Sequence, residues 1–250
     1  MVMMSGYCKE YEIFYFQVDQ FGEASAVTIL SFLEDCATAH SEAIGMGIEY
    51  LTSQRTCWVL NRWRLQMERY PRLGEKVSVE TFPTSFLRFY GQRVFTIRDG
   101  QGHIIGSAGS LWIYLNIDKR RPTRIPLHFA SQYGVSEGYE DHESFQDLPA
   151  ITDIHSEISF HVRRSDIDTN GHVNNTRYVE WMLEGIAEDT IKDYRLHQLE
   201  VIYKKETQYG TDIISRCQRT ESAEPEYLHL ILDKSGSSEL ACGKTVWTKR

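Results

Sequence analysis

Residues 166–175, Asp-Ile-Asp-Thr-Asn-Gly-His-Val-Asn-Asn, gather carboxylates, amides and an imidazole directly ahead of an amphipathic run, 176–191. Short Asn and Asp side chains satisfy free backbone N–H groups, so they favour turns and helix N-caps. The cluster therefore reads as a loop that ends at a helix N-terminus. Such a terminus carries partial positive charge and unpaired donors, and can polarise a carbonyl or hold an oxyanion. A nucleophile or water-activating group beside it would complete an acyl-transfer site. The same composition also makes an ordinary capped turn with one incidental histidine, so the surrounding elements must decide.

Those elements come in two echoing halves. In the first, 11–18 alternates as a strand does, and 24–44 carries a helical apolar face with Val27, Leu30, Phe32, Leu33, Cys36, Ala37 and Ala43. Strand-like runs follow at 57–69, 76–83, 90–98 and 103–117, with Gly74, Gly91, Gly100 and Gly102 at or near the turns. The second half repeats the order: a strand at 157–163, a helix at 174–192, then strands at 198–207, 211–220, 227–232 and 239–248. Residues repeat too: 69–77 has the shape of 205–213, and Phe32-Leu33-Glu34 echoes Met182-Leu183-Glu184. Residues 122–153, rich in Ser, Gly, Pro and acidic residues, read as a linker. The expected organisation is a first repeat over 1–121, serving as scaffold and for acyl-chain binding, the linker over 122–153, and a second repeat over 154–250 carrying the chemistry.

A strand, a long helix and then several antiparallel strands form an α+β unit, because a helix with a broad apolar stripe needs a sheet to cover it. Duplication gives a tandem (double) hotdog: two long helices packed on a continuous antiparallel sheet. Gln20, Gly22 and Glu23 stand near the first-half loop where the second half has Asn170, His172 and Val173. Chemistry is therefore expected only in the second repeat.

A net charge of −8 argues against general nucleic-acid binding, which needs a basic surface. A local patch, Lys119-Arg120-Arg121 with Arg124, is still able to receive an acidic protein, or is simply a solvated turn. The five cysteines, Cys8, Cys36, Cys57, Cys217 and Cys242, are scattered without CxxC spacing, which fits neither a disulfide framework nor a zinc site. No apolar run approaches a membrane span, and 1–10 lacks the basic and apolar regions of a secretory signal. The cytoplasm is the expected compartment. No phosphate-binding glycine loop or metal-ligand cluster stands out, so neither metal nor cofactor is expected.

The chain resembles the acyl-acyl carrier protein thioesterases of plant plastids and their bacterial relatives. The resemblance rests on a D-x-N-x-H-V-N-N string, here Asp168 to Asn175, followed by Tyr178, Trp181 and Glu184, and on Tyr203-Lys204-Lys205-Glu206-Thr207. First-half strand motifs (Val79-Glu80-Thr81-Phe82, and Trp112-Ile113-Tyr114-Leu115-Asn116 with Arg120-Arg121) extend it over nearly the whole chain. It implies hydrolysis of fatty acyl-carrier thioesters, with acyl carrier protein as the substrate partner and a homodimer left open. By this resemblance Asn170 orients water or a carboxylate, His172 transfers protons and Asp168 orients its neighbours. Asn174 and Asn175 cap the helix. Where the family has Cys, this chain has Thr207, whose hydroxyl needs a dedicated strong base before it can attack. Glu206 beside it offers a carboxylate that can activate water or attack the thioester itself. Neighbouring strand residues face opposite sides, so Glu206 and Thr207 should not both enter the site. Other readings are an acyl-coenzyme A thioesterase, a hotdog hydratase or dehydratase, and a non-catalytic acyl-binding module.

Overall fold

The computed structural model describes residues 6–135, 145–168 and 171–250. The chain divides into two compact units, Met1–Asn61 with Met67–Phe145, and Arg62–Gln66 with Gln146–Arg250.

The first unit opens with β1 (Tyr7–Glu12) and a 3-10 turn at Tyr15–Gln17, rather than a strand over 11–18. Helix α1 (Ala26–Ala43) starts at the Ser25 cap, whose hydroxyl accepts the Thr28 N–H. It buries Ile29, Leu30, Phe32, Leu33, Cys36, Ala37 and His40, whereas Ala43, expected on that face, is exposed. A short α2 (Ile48–Ser53) precedes β2 (Thr56–Met67), β3 (Lys76–Leu87), β4 (Tyr90–Asp99), β5 (Ile104–Asn116) and the two-residue β6 (Arg121–Pro122). The strands run antiparallel in the order β1-β3-β4-β5-β2, with β6 on β5. Alternate residues of β3 and β4, among them Val77, Val79, Phe95 and Ile97, are buried. That is the period-2 pattern of a half-buried sheet.

The span 122–153 read as a linker is not uniform. Within it, α3 (His128–Gln132) buries Phe129 in a cluster with Met46, Leu51, Tyr114, Ile125 and Tyr133. Residues 136–144 of that span lie outside the described residues. The aromatic content of 125–133, not its polar neighbours, decides this local fold.

The second unit repeats the plan with β7 (Ser156–His161), α4 (Asn175–Leu183), α5 (Glu188–Asp193), β8 (Tyr194–Tyr203), β9 (Asp212–Arg219), β10 (Glu226–Asp233) and β11 (Glu239–Lys249). Its order is β8-β11-β10-β9-β7, and residues Arg62–Gln66 of β2 belong to this unit, pairing with β8. The single helix expected over 174–192 is broken in two. Gly185 stands at the break, where an added Cβ would lie 2.9 Å from the Cys217 Cβ, so the chain approaches β9 too closely for any side chain. Each unit is a helix on an antiparallel sheet, the hotdog arrangement.

Two histidines make this fold acid-sensitive. Burial pushes His229 on β10 down to about 3. Burial and the neighbouring Arg93 push His40 on α1 down to about 4, from an ordinary value of 6.5. The unfolded chain then binds more protons than the folded one below pH 6.5, so stability is intact above 6.5 and is lost as pH falls towards those lower values. At pH 5 each histidine costs about 2 kcal/mol. Thermal unfolding followed by circular dichroism should show a midpoint roughly 5–15 °C lower at pH 5 than at pH 7. His229→Gln should flatten part of that slope.

Candidate active site

The loop ahead of α4 is clasped at its base by Asp166, which is wholly buried. Its carboxylate accepts the Arg163 backbone N–H at 2.7 Å and the Arg163 guanidinium at 2.9 Å, with Arg177 Nε of α4 at 3.7 Å. Burial alone would raise its pKa, but the bonds from Arg163 and the charge of Arg177 hold it below the usual carboxylate range. The Asp166 carbonyl accepts the Asn174 N–H at 2.8 Å, so one residue holds both ends of the loop. Its position in the string gave no sign of this, although an Arg three residues before an Asp is a local pairing signal.

Within the loop, Gly171 takes φ 82°, the left-handed conformation that favours glycine. The turn closes through Asp168 N–H to the His172 carbonyl (2.8 Å) and Gly171 N–H to the Asp168 carbonyl (3.1 Å). Asp168 Oδ1 accepts the His172 N–H at 3.3 Å, so its carboxylate meets the backbone that carries the histidine. Asn170 lies outside the described residues. Asn174 caps the helix, its side-chain oxygen accepting both the Thr176 N–H (2.9 Å) and the Thr176 hydroxyl (2.7 Å). The amides of Val173, Asn174, Thr176 and Arg177 are all engaged, by the Thr207 carbonyl, the Asp166 carbonyl, the cap and the Asn174 carbonyl. What the helix end offers a carbonyl is therefore its dipole more than these four donors.

Strand β8 ends at Tyr203, four residues short of the expected end, so Glu206 sits in a loop and not on a strand. Three bonds bring that loop to the histidine. Val173 N–H donates to the Thr207 carbonyl (3.2 Å), the Tyr178 hydroxyl to the Lys205 carbonyl (3.4 Å) and the Tyr203 hydroxyl to the Asn175 carbonyl (3.0 Å). Burial holds the Tyr178 phenol well above its ordinary pKa, so it stays a donor. The result is a His172 Nε2 to Glu206 Oε2 separation of 3.1 Å. The two side chains are 35% and 57% exposed, open enough for water to reach both.

Thr207 faces elsewhere. Its residue is 8% exposed and its hydroxyl lies 2.8 Å from that of Thr211. Thr211 already donates to the Gln208 carbonyl at 2.6 Å, so Thr207 is the donor between them. A hydroxyl whose proton goes to a neighbouring hydroxyl has no base to activate it. Glu206 and Thr207 thus take different partners, but from a loop and not through the strand alternation on which that expectation rested.

The first unit carries the same backbone scaffold. Asp19 N–H donates to the Glu23 carbonyl (2.8 Å), Gly22 N–H to Asp19 (3.0 Å), Ala24 N–H to Pro71 (2.8 Å) and Ser25 N–H to Gln17 (3.1 Å). These bonds match those of Asp168, Gly171, Val173 and Asn174 one for one. Glu23 therefore takes the place of His172, one residue off the sequence-based pairing with Val173, and Tyr70 takes that of Glu206. An acid and a phenol replace the imidazole and the carboxylate.

Lys119, Arg120, Arg121 and Arg124 are all exposed around the β5–β6 hairpin, and none has a carboxylate partner among the described residues. Arg88, missed in the sequence, joins them, since its carbonyl accepts the Ile125 N–H at 2.8 Å and its side chain is exposed. Its distance along the chain hid it.

Residues 5–133 match the family model described as Acyl-ACP thioesterase N-terminal domain, and residues 151–249 match the Acyl-ACP thioesterase C-terminal domain. The chain is 24% identical to oleoyl-acyl carrier protein thioesterase 1 of Arabidopsis thaliana, over 98% of this chain and 76% of that protein. It is 27% identical to the dodecanoyl-[acyl-carrier-protein] hydrolase of Cinnamomum camphora, over 89% and 62%. Among solved structures, an acyl-ACP thioesterase from Bacteroides thetaiotaomicron superposes with a TM-score of 0.86 at 26% identity, covering 97% of this chain and 98% of that one. The 12:0-ACP thioesterase of Umbellularia californica shares the fold, with a TM-score of 0.86 at 21% identity over 98% and 94%. With both family models matched in order and the paired loop in the second repeat, the chain belongs to the acyl-ACP thioesterase family.

Proposed function

We propose that this protein hydrolyses fatty acyl-acyl carrier protein thioesters to free fatty acid and carrier thiol, with the chemistry in the second repeat. The observation that carries the assignment of residues is the 3.1 Å approach of His172 to Glu206. Glu206 takes a proton from water as the oxygen attacks the thioester carbon, and His172 supplies a proton to the departing sulfur as the C–S bond breaks. The dipole at the start of α4 stabilises the oxygen that gains charge. Asp168 supports the loop, and Asn170 orients the water. Thr207 acts as a packing residue, and no cofactor takes part. The scattered cysteine pattern supports a cytoplasmic setting, and a homodimer is compatible with this reading.

The test is thiol release from a panel of acyl carrier protein thioesters and the matching coenzyme A thioesters. Faster turnover on the carrier protein supports the reading. Equal rates on both would make it a general acyl thioesterase. With an enoyl thioester added to the panel, loss of its double bond without thiol release would make it a hydratase, and binding without turnover a non-catalytic module.

The five-cation patch around β6 is the proposed dock for the acidic carrier, despite the overall charge of −8. Charge steering weakens with salt, so kcat/KM for the carrier substrate should fall as salt is added. Reversing Arg120 and Arg121 to Glu should cost roughly tenfold in kcat/KM on the carrier, through KM, and leave kcat near the parent value. Steady-state kinetics in 20 and 300 mM salt checks both. An unchanged carrier-dependent rate would mean that docking occurs elsewhere.

A further inference from the structure

The two units hold the turn ahead of their first long helix in different ways, and the difference is one of charge. In the first unit Gln17 does this work. Its side-chain oxygen accepts the Phe14 N–H at 2.9 Å, and its carbonyl accepts the Ser25 N–H at 3.1 Å and the Thr28 hydroxyl at 2.9 Å. In the second unit Asp166 stands at the place of Gln17, Arg163 at that of Phe14 and Arg177 at that of Thr28. There a wholly buried carboxylate takes the Arg163 backbone N–H, the Nε and Nη2 of the Arg163 guanidinium (3.2 and 2.9 Å) and the charge of Arg177. Glu180 holds Arg177 in turn, through Nη1 at 2.6 and 2.8 Å. Neutral groups close the same turn in the first unit, so the turn itself does not need the carboxylate. A buried ion pair also adds little stability over a neutral set, because desolvation offsets its attraction. What a two-pronged guanidinium–carboxylate pair adds is a fixed direction as well as a distance.

From Asp166 the contacts run on to Glu206. Asn174 and Arg177 tie Asp166 to the first turn of α4. Beside them, Val173 N–H donates to the Thr207 carbonyl, Tyr178 to the Lys205 carbonyl, and Tyr203 to the Asn175 carbonyl. Lys205 and Thr207 flank Glu206. The first unit keeps the bond from Ala24 to Pro71, but Ile29 and Met67, at the places of Tyr178 and Tyr203, have no hydroxyl to give. The charged clasp and the tyrosine ties thus occur together, in the repeat where an imidazole meets a carboxylate. We propose that Asp166, with Arg163 and Arg177, is a positioning residue whose ionic clasp sets His172 against Glu206. Its effect on turnover rests on the reaction proposed above; its effect on geometry does not. The clasp touches no substrate and acts through the helix and loop that carry the pair.

The test exchanges the clasp on the full chain. Asp166→Gln with Arg177→Thr installs the residues the first unit uses and leaves the net charge unchanged. The exchanged protein should unfold within about 5 °C of the parent. Its kcat on a dodecanoyl carrier protein thioester should fall roughly 10–100-fold, with KM within about threefold. Arg177→Lys, which keeps the charge beside Asp166, should keep most of the rate, and Arg177→Thr alone should not. Nuclear magnetic resonance of proteins with isotope-labelled histidine reads the geometry without turnover. In the parent, Glu206→Gln should shift the ring-nitrogen signals of His172, assigned through their absence in His172→Ala. On the exchanged clasp, Glu206→Gln should leave those signals in place, because the two side chains no longer meet. A parent-like kcat in the exchanged protein would overturn the proposal, as would a His172 signal that still responds there to Glu206→Gln. Equal losses in Arg177→Lys and Arg177→Thr would also overturn it. If the exchanged protein does not fold, the two single variants at the half-buried Arg177 carry both measurements. A parent that releases no thiol would sink the proposed function, and the resonance result alone would then decide the clasp.

Discussion

Glu206→Gln should remove nearly all thioesterase activity, a loss of about 10³-fold or more in kcat. The amide keeps the size and shape of the side chain but cannot take a proton from water or attack the thioester. The side chain is 57% exposed, so the change should leave folding intact and the loss should be chemical. Thr207→Ala is the paired control. Its hydroxyl donates to Thr211 and points away from the dyad, so the variant should lose no more than about tenfold, the worth of one hydrogen bond of ~1.4 kcal/mol. Steady-state thiol release with both variants decides between neighbours. A dead Thr207→Ala beside a nearly normal Glu206→Gln would place the chemistry on the hydroxyl.

His172→Ala should lose about 10²–10⁴-fold in kcat, the usual range for a positioned proton-transfer group. The loss should fall on kcat more than on KM, because the role proposed for the imidazole is at the departing sulfur and not on the acyl chain. A substrate with a more acidic thiol leaving group should recover part of the rate in His172→Ala, since it departs without a proton. An alanine variant that raises KM alone, with no such recovery, would reduce His172 to a binding residue. The double variant with Glu206→Gln should be little worse than the worse single one, because the proposed mechanism uses the two side chains, 3.1 Å apart, as a unit.

The strands could be read from the sequence wherever one face is buried. β3, β4, β5, β9, β10 and β11 lie within a few residues of their alternating patterns. β1 did not, because its six residues alternate half-buried with exposed and offer no apolar signal. Within the 11–18 alternation, Phe14, Tyr15 and Phe16 are exposed, at the cap and start of a 3-10 turn. The break at Gly185 was invisible because its cause is contact with Cys217, a residue of another element. The short α2 and α3 lack the length for a helical period and are held by tertiary packing of Leu51 and Phe129. In the site, the turn around Gly171 and the cap at Asn174 followed from local chemistry. The meeting of His172 with Glu206 is what the repeat geometry implies, since the strand after each helix runs back beside that helix. Neither source revealed the clasp at Asp166 or the commitment of the Thr207 proton, because both depend on which neighbours the folded chain supplies.

The central claim is that a duplicated scaffold does chemistry in one repeat only, and a matched pair of variants measures this directly. Glu23 occupies in the first repeat the place His172 holds in the second, so Glu23→Gln is the control for damage to the scaffold. Thiol release from a dodecanoyl or oleoyl carrier protein thioester should proceed at the parent rate within about twofold in Glu23→Gln, since the amide keeps the size and shape of the half-buried side chain. It should be nearly absent in Glu206→Gln. Activity lost in Glu23→Gln and kept in Glu206→Gln would contradict the account, because the reaction would then run on the first repeat.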